Sequence, residues 1–114
     1  MESCVFCRVA DGTARARILF EDEEVVAFHD ITPRAPVHVL VIPRRHIISL
    51  ASVGDDDRAV LATLFAAAAE VARRTGIAET GYRVVTNVGA GAGQSVFHLH
   101  LHVLGGRPMG WPPG

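Results

Sequence analysis

His98, His100 and His102 alternate with Phe97, Leu99, Leu101 and Val103 near the end of a 114-residue chain. Side chains on a strand point to opposite faces with period two, so an extended segment here sets three imidazoles on one face and the apolar residues on the other. Three uses of such a row can be distinguished. A solvent-facing strand asks nothing of imidazole that Ser or Thr would not supply. A three-histidine metal site must close on one ion, yet the outer Cα atoms of such a row stand roughly 13–14 Å apart, and bonds near ~2 Å would strain the strand. Nucleophilic and acid–base chemistry asks only that the groups lie side by side, because imidazole titrates near neutrality and serves as nucleophile, proton donor or anion binder. Just upstream, Gly89, Gly91 and Gly93 leave backbone N–H groups open to an anion, and Gln94 and Ser95 add side-chain donors, which suits a phosphate. The loop is neither a Walker loop, since no Gly-Lys-Ser/Thr follows, nor a Rossmann turn, since a strand and not a helix comes next.

The elements that must hold this row are legible from pattern. Residues 18–20 and 24–29 read as a hairpin across the polar turn Glu21-Asp22-Glu23. Pro33 and Pro36 break the segment that follows, and 37–42 is a continuous apolar, β-branched run with only His38 inside it, a central strand ended by Pro43. Asp55-Asp56-Asp57 caps a helix over about 58–75, with Arg73 and Arg74 at its C-terminus and Gly76 stopping it. That helix is apolar on one face and alanine-rich elsewhere, so it is expected to pack on two sides, its own sheet and a second copy of the chain. Residues 82–86 read as a strand, 89–93 as a flexible loop and 96–104 as the last strand, ended by Gly105-Gly106. The tail from Met109 to Gly114, with Trp111, fits neither helix nor central strand.

Composition narrows the function. The chain is 49% apolar and 20% charged, as an ordinary globular domain is, and its length suits one domain over 1–114. A formal charge of -1 gives no bulk pull toward nucleic acid or an anionic membrane. All 11 basic residues are arginine, which excludes Schiff-base and P-loop lysine chemistry. The longest apolar run, 61–69, falls short of the ~18 residues of a membrane span. The opening Met1-Glu2-Ser3-Cys4 has no basic region before an apolar stretch, so a cytoplasmic protein is expected. There a Cys4-x-x-Cys7 pair suggests metal or redox use before a structural disulfide, or else two thiols packed as small hydrophobes.

The run His98-Leu99-His100-Leu101-His102-Val103-Leu104 resembles the motif of the histidine-triad (HIT) superfamily. Gly93-Gln94-Ser95-Val96-Phe97 before it, and Gly105-Gly106-Arg107 with Trp111-Pro112-Pro113-Gly114 after it, are similar to the HINT branch, the histidine-triad nucleotide-binding proteins. Phe28-His29-Asp30-Ile31 and the segment from Val41 to Ile47 extend the likeness over nearly the whole chain.

The resemblance implies an α+β HIT-like fold, with a five-stranded antiparallel sheet, one long helix and a short one, paired into a homodimer. It implies hydrolysis of purine nucleoside phosphoramidates, aminoacyl-adenylates included, with no cofactor needed for catalysis. His100 would be the nucleophile on phosphorus, flanked by His98 and His102, with His38 completing the relay and Ser95 assisting the leaving amine. Asp30 would bind the ribose hydroxyls. Phe6, Phe28 and Ile31 would form the base pocket, and Asn87, Gly93, Gln94 and Val96 would approach sugar and phosphate. Trp111 would shape the pocket, reaching across the dimer, or stay an exposed tail. In relatives that carry the cysteine pair, it binds structural zinc together with two histidines, which here are His46 and His98.

The residues themselves leave plainer roles open. Asp30 beside Pro33 suits a turn as well as a diol, His38 suits a satisfied core histidine, and Phe6, Phe28 and Ile31 suit a core. A nucleotide-binding regulatory module with weak catalysis, or a dinucleoside polyphosphate hydrolase, are the alternative functions.

Overall fold

The structure is a computed structural model and describes residues 3–114; Met1 and Glu2, on which part of the reading of the N-terminus rests, lie outside it. A short helix α1 (Val5–Asp11) leads into strands β1 (Ile18–Glu21), β2 (Val25–His29) and β3 (Val37–Pro43), then the long helix α2 (Arg58–Thr75), and strands β4 (Tyr82–Val85) and β5 (Leu101–Gly105). The five strands form one antiparallel sheet in the order β1-β2-β3-β5-β4. The α+β architecture expected from the sequence, with one long and one short helix, is the one observed.

The apolar runs of β2 and β3 explain their central place. Val25, Ala27, Val39 and Val41 face α2 and pack against Leu64, Ala68 and Val71. Val26, Phe28, Leu40 and Ile42 face the other way and pack under α1 against Phe6 and Val9. Strands covered on both faces need no polar alternation. Only His38 and His29 interrupt this pattern, and both lie where the sheet meets the cleft described below.

Local chemistry sets the element ends. The Asp22 carboxylate accepts the N–H groups of Glu24 and Val25 at 2.8 and 2.9 Å and so closes the β1–β2 turn. Gly76 stops α2 with a φ of 84°, which the missing Cβ permits. The three aspartates before α2 differ from expectation: they form a 3-10 turn of their own, Asp55–Asp57, and the Asp57 carboxylate accepts from Gly54 instead of capping α2. Gly105 closes β5 against Ile77, and an added Cβ there would meet that side chain at 2.8 Å.

The last strand is shorter than its alternation suggests, beginning at Leu101 and not at residue 96. β4 ends at Val85, which pairs with His102, so its ladder does not reach residues 96–100 on that side. On the other side β3 stops at Pro43, and the Leu99 N–H turns away to the Ile47 carbonyl at 2.6 Å. The alternation nevertheless persists outside the sheet. Leu99, Leu101 and Val103 are at most 2% exposed in the α2-side core, while the three histidines face the α1 side. Phe97 departs from the pattern and is 49% exposed.

Candidate functional site

Two histidine clusters meet along the segment from His98 to His102. The first lies at the N-terminus of α1. The Sγ of Cys4 caps that helix by accepting the Cys7 N–H at 3.3 Å, which turns both thiols toward His98. The Nδ1 of His98 stands 3.4 Å from Cys4 Sγ, 3.5 Å from Cys7 Sγ and 3.3 Å from His46 Nδ1, and Cys7 Sγ is 3.2 Å from His46 Nδ1. Ligands tetrahedrally arranged around zinc would be roughly 3.5 Å apart for a sulfur–nitrogen pair and roughly 3.3 Å for a nitrogen pair, so these four groups fit one tetrahedral ion. His98 is wholly buried, and its Nε2 donates to the Pro43 carbonyl at 2.8 Å, which fixes the lone pair on Nδ1 and aims it at the other three. Burial, together with the neighbouring Cys4 thiol, pushes the Cys7 thiol up to about 11, so it takes a cation to hold the Cys7 sulfur as a thiolate.

The second cluster opens into a cleft between α1 and the sheet. His100 sits beside His98 and donates from Nδ1 to the His98 carbonyl at 2.6 Å. Its lone pair is therefore on Nε2. No buried side-chain nitrogen or oxygen among the described residues lacks a partner, and Nε2 has none among those residues, so this atom is open to the cleft. His38 accepts the Arg34 N–H on Nδ1 at 3.0 Å, so its proton is on Nε2, which donates to His102 Nδ1 at 2.9 Å. His102 in turn carries its proton on Nε2. Asp30 lies 3.4 Å from His38 Nε2. Asp30, His38 and His102 also stand close enough to ligate an ion. The Arg34 N–H argues for a proton path instead, because a metal on His38 Nε2 would have to expel the proton that this hydrogen bond places there.

Burial keeps these rings neutral at pH 7. It lowers His100 below the ordinary imidazole value despite the His98 carbonyl and the Asp30 charge, which both oppose the shift. It lowers His38 although Asp30 pulls the other way. His102 falls furthest, to about 4, through burial first and then the charges of His100 and His38. A neutral imidazole with a fixed proton is a nucleophile at one nitrogen and a donor at the other. His100 thus offers a lone pair and His102 an N–H, with ring centroids 4.9 Å apart.

The cleft has a volume of about 1190 Å³ and gathers most of the expected nucleotide contacts: Phe6, Phe28, Asp30, Ile31, His38, Gly93, Ser95, Val96, His100 and His102 all line it. Phe6 stands edge-on to Phe28 and to His100, with centroids 5.5 and 5.0 Å away, so an apolar slot adjoins the nucleophile. Ile31 is 97% exposed at its mouth, where the default expectation was a core position. His98 is not on the cleft; it backs the site through its carbonyl.

Three expected contacts lie elsewhere. Gln94 is buried, with Oε1 accepting from Gly89 N–H and Nε2 donating to the Ile48 and Val96 carbonyls, so its amide braces the glycine loop and has no donor left for a phosphate. The loop that was expected to be irregular contains a 3-10 turn, Ala90–Ala92. Asn87 does not line the cleft within the chain. Trp111 is 83% exposed and lies 5.9 Å from the Arg83 guanidinium, away from the cleft. Conversely, sequence reasoning passed over Thr86, whose hydroxyl donates to the His100 carbonyl at 2.8 Å, and the arginines on the cleft rim. A polar residue ending a strand beside the histidines was the available signal for Thr86.

The HIT domain family matches residues 11–109 of this chain. An uncharacterized HIT-like protein of Synechocystis sp. is 46% identical over 113 residues, covering 99% of this chain and 98% of that one. The crystal structure of a HIT family hydrolase from Legionella pneumophila superposes with a TM-score of 0.96 at 49% identity, covering 98% of this chain and 100% of the other. A histidine triad protein from Clostridium difficile gives a TM-score of 0.93 at 35% identity, with 96% of each chain covered.

Proposed function

This chain belongs to the HIT domain family, and on that premise we propose that it is a hydrolase of purine nucleoside phosphoramidates acting through a nucleotidyl-His100 intermediate, as in the HINT branch. The observation that carries the reading is the neutral His100, its Nδ1 proton held by the His98 carbonyl and its Nε2 lone pair open to the cleft beside the donor His102. The nucleotide lies with its base in the Phe6–Phe28 slot, its ribose hydroxyls on Asp30 and its phosphate at His100 and His102. His100 Nε2 attacks phosphorus, the P–N bond breaks, and the departing nitrogen takes a proton from bulk water through Ser95 and leaves as an amine. The imidazolium formed keeps its Nδ1–H on the His98 carbonyl, which stabilises the charge. Water then attacks phosphorus, the proton it sheds returns to bulk water, and His100 departs neutral, while Asp30 and His38 hold His102 with its Nε2–H as donor to the phosphate. The phosphate oxygens gain charge where His102 Nε2–H stands as a donor, since the N–H groups of Ala92, Gly93 and Gln94 are held by the Gly89 and Ala90 carbonyls.

Turnover of an adenosine phosphoramidate tests this reading, with release of AMP and amine as the expected products. Preferential cleavage of a diadenosine polyphosphate instead would assign the chain to the polyphosphate branch, and tight AMP binding with no cleavage of either would make it a regulatory module.

Cys4, Cys7, His46 and His98 hold a structural zinc, supported by the four-way spacing and the unprotonated His98 Nδ1. Zinc supplies rigidity there by tying α1 to the segment behind His100, and catalysis needs no metal. Protein purified without chelator is expected to carry one zinc per chain by elemental analysis. Cys4→Ser with Cys7→Ser should lose the metal and lower Tm. Metal-free wild type as purified would refute the assignment.

The chain is one HIT domain over 1–114 that works as a cytoplasmic homodimer, where the reducing milieu keeps both thiols free to bind. Phe65 on the outer face of α2 is 54% exposed, and Ile48 and Phe97 are 50% and 49% exposed beside one shallow hollow; a second copy covers such groups. The exposed Trp111 then reaches the partner's cleft. No helix among the described residues is long and apolar enough to cross a membrane.

A further inference from the structure

The cleft runs from a chemical end to a rim that the proposed mechanism does not use. His100, His102 and His38 mark the chemical end, Asp30 lies next to His38, and Phe6 bridges from His100 to Phe28. Beyond that slot the wall is Val5, Val9 and the segment 15–17 that enters β1, preceded by Ala14. Ala14 and Ala16 pack against the Phe6–Phe28 group, while Arg15 and Arg17 are exposed on the cleft rim to either side of Ala16. The Arg17 carbonyl accepts the His29 N–H at 3.0 Å, so this rim is held in register with the strand that carries Phe28 and leads to Asp30.

These two guanidinium groups are left unengaged within the described residues, as are those of Arg8 and Arg34. Arg44, Arg45, Arg58, Arg73 and Arg74 are all ion-paired with carboxylates. Arg15 and Arg17 make neither an ion pair nor a side-chain hydrogen bond among the described residues. Among the described residues Asp30 is the only carboxylate on the cleft, and it adjoins His38 at the far end. The third cleft arginine, Arg34, has its main-chain N–H on His38, so its backbone is fixed at the histidine end. The rim around the apolar slot therefore offers donors and no charged acceptor.

On the reading that this cleft holds a purine nucleotide, we propose that Arg15 and Arg17 select the base, favouring guanine over adenine. A guanidinium only donates, in a planar fork. Guanine presents two adjacent acceptors, O6 and N7, to such a fork, whereas adenine presents N7 beside the N6 amino donor. A base stacked in the slot with its O6/N7 edge toward residues 15–17 meets both donors; adenine in the same pose sets an amino group against them.

The experiment compares guanosine, inosine and adenosine 5′-phosphoramidates by kcat/KM, and GMP, IMP and AMP by calorimetric affinity, in wild type and in the Arg15→Ala/Arg17→Ala double variant. Inosine keeps O6 and N7 but lacks the 2-amino group, so it should group with guanosine. Guanosine and inosine are expected to exceed adenosine by at least about fivefold in wild type, the low end for a bidentate arginine–guanine pair. The ratio should fall toward one in the double variant, whose substitutions are at exposed positions and leave the fold intact. Equal use of the three bases, inosine grouping with adenosine, or a uniform loss over all bases in the double variant would overturn the proposal. The binding arm does not depend on P–N chemistry: selective GMP and IMP binding without turnover upholds base selection while refuting the phosphoramidase reading.

Discussion

His100→Ala is expected to lower kcat on a nucleoside phosphoramidate by at least about 10⁴-fold, because removing the attacking atom leaves only binding and charge stabilisation in place. Binding of the nucleoside monophosphate should change far less, since Asp30, the aromatic slot and His102 all remain. Wild-type protein quenched in acid during turnover should carry the mass of one nucleotidyl group on the His100 peptide; the variant should carry none. His100 is 7% exposed and Phe6 packs against it, so truncation leaves a gap in the wall. His100→Gln fills more of that gap and controls for folding, with Tm near wild type and turnover still lost. Turnover within tenfold of wild type in either folded variant would remove His100 from the nucleophile's role.

Stability should drain away as pH falls below about 6.5. Burial lowers His29, His38 and His102 in the folded chain, His102 to about 4. In the unfolded chain all three titrate near the ordinary value. Between the folded and unfolded pKa values the unfolded chain binds more protons, so their contribution is complete above the unfolded value and is lost as pH drops through the folded one. His102 alone, discounted for its partial exposure, is worth on the order of 2 kcal/mol across that window. Thermal unfolding followed from about pH 8 down to about pH 4.5 should give a flat Tm above neutrality and a steady fall below about pH 6.5. Acid also protonates zinc ligands, so the series is repeated on chelator-treated protein, where the histidine component persists. A Tm independent of pH in that chelated series would contradict the neutral, buried rings on which the mechanism depends.

Period-two alternation was enough to put His98, His100 and His102 on one side of the chain, because that property belongs to any extended segment, paired or not. Pairing itself was not legible. It is decided by where β4 and β3 stop and by the tie from Leu99 to Ile47, none of which leaves a mark within residues 96–100. Cys4 and Cys7 announced themselves by spacing, but which histidines complete their set depends on a contact across 94 residues, and it came from resemblance to relatives. Gln94 was misread for the opposite reason. A glycine-rich loop beside a polar side chain looks like an anion cradle, and only the fold reveals that the amide is consumed by Gly89, Ile48 and Val96. The proton positions of His38 and His98 lie beyond any residue pattern, since main-chain groups of Arg34 and Pro43 set them.

His98 and His100 are each oriented by a main-chain carbonyl, from Pro43 and His98 respectively. A peptide oxygen survives every codon change at its position, so substitution can shift such an acceptor but never delete it. Inheritance of the nucleophile's proton placement is thereby coupled to the course of the backbone, and descendants that drift in surface, metal ligands or base preference would retain it for as long as they retain the fold.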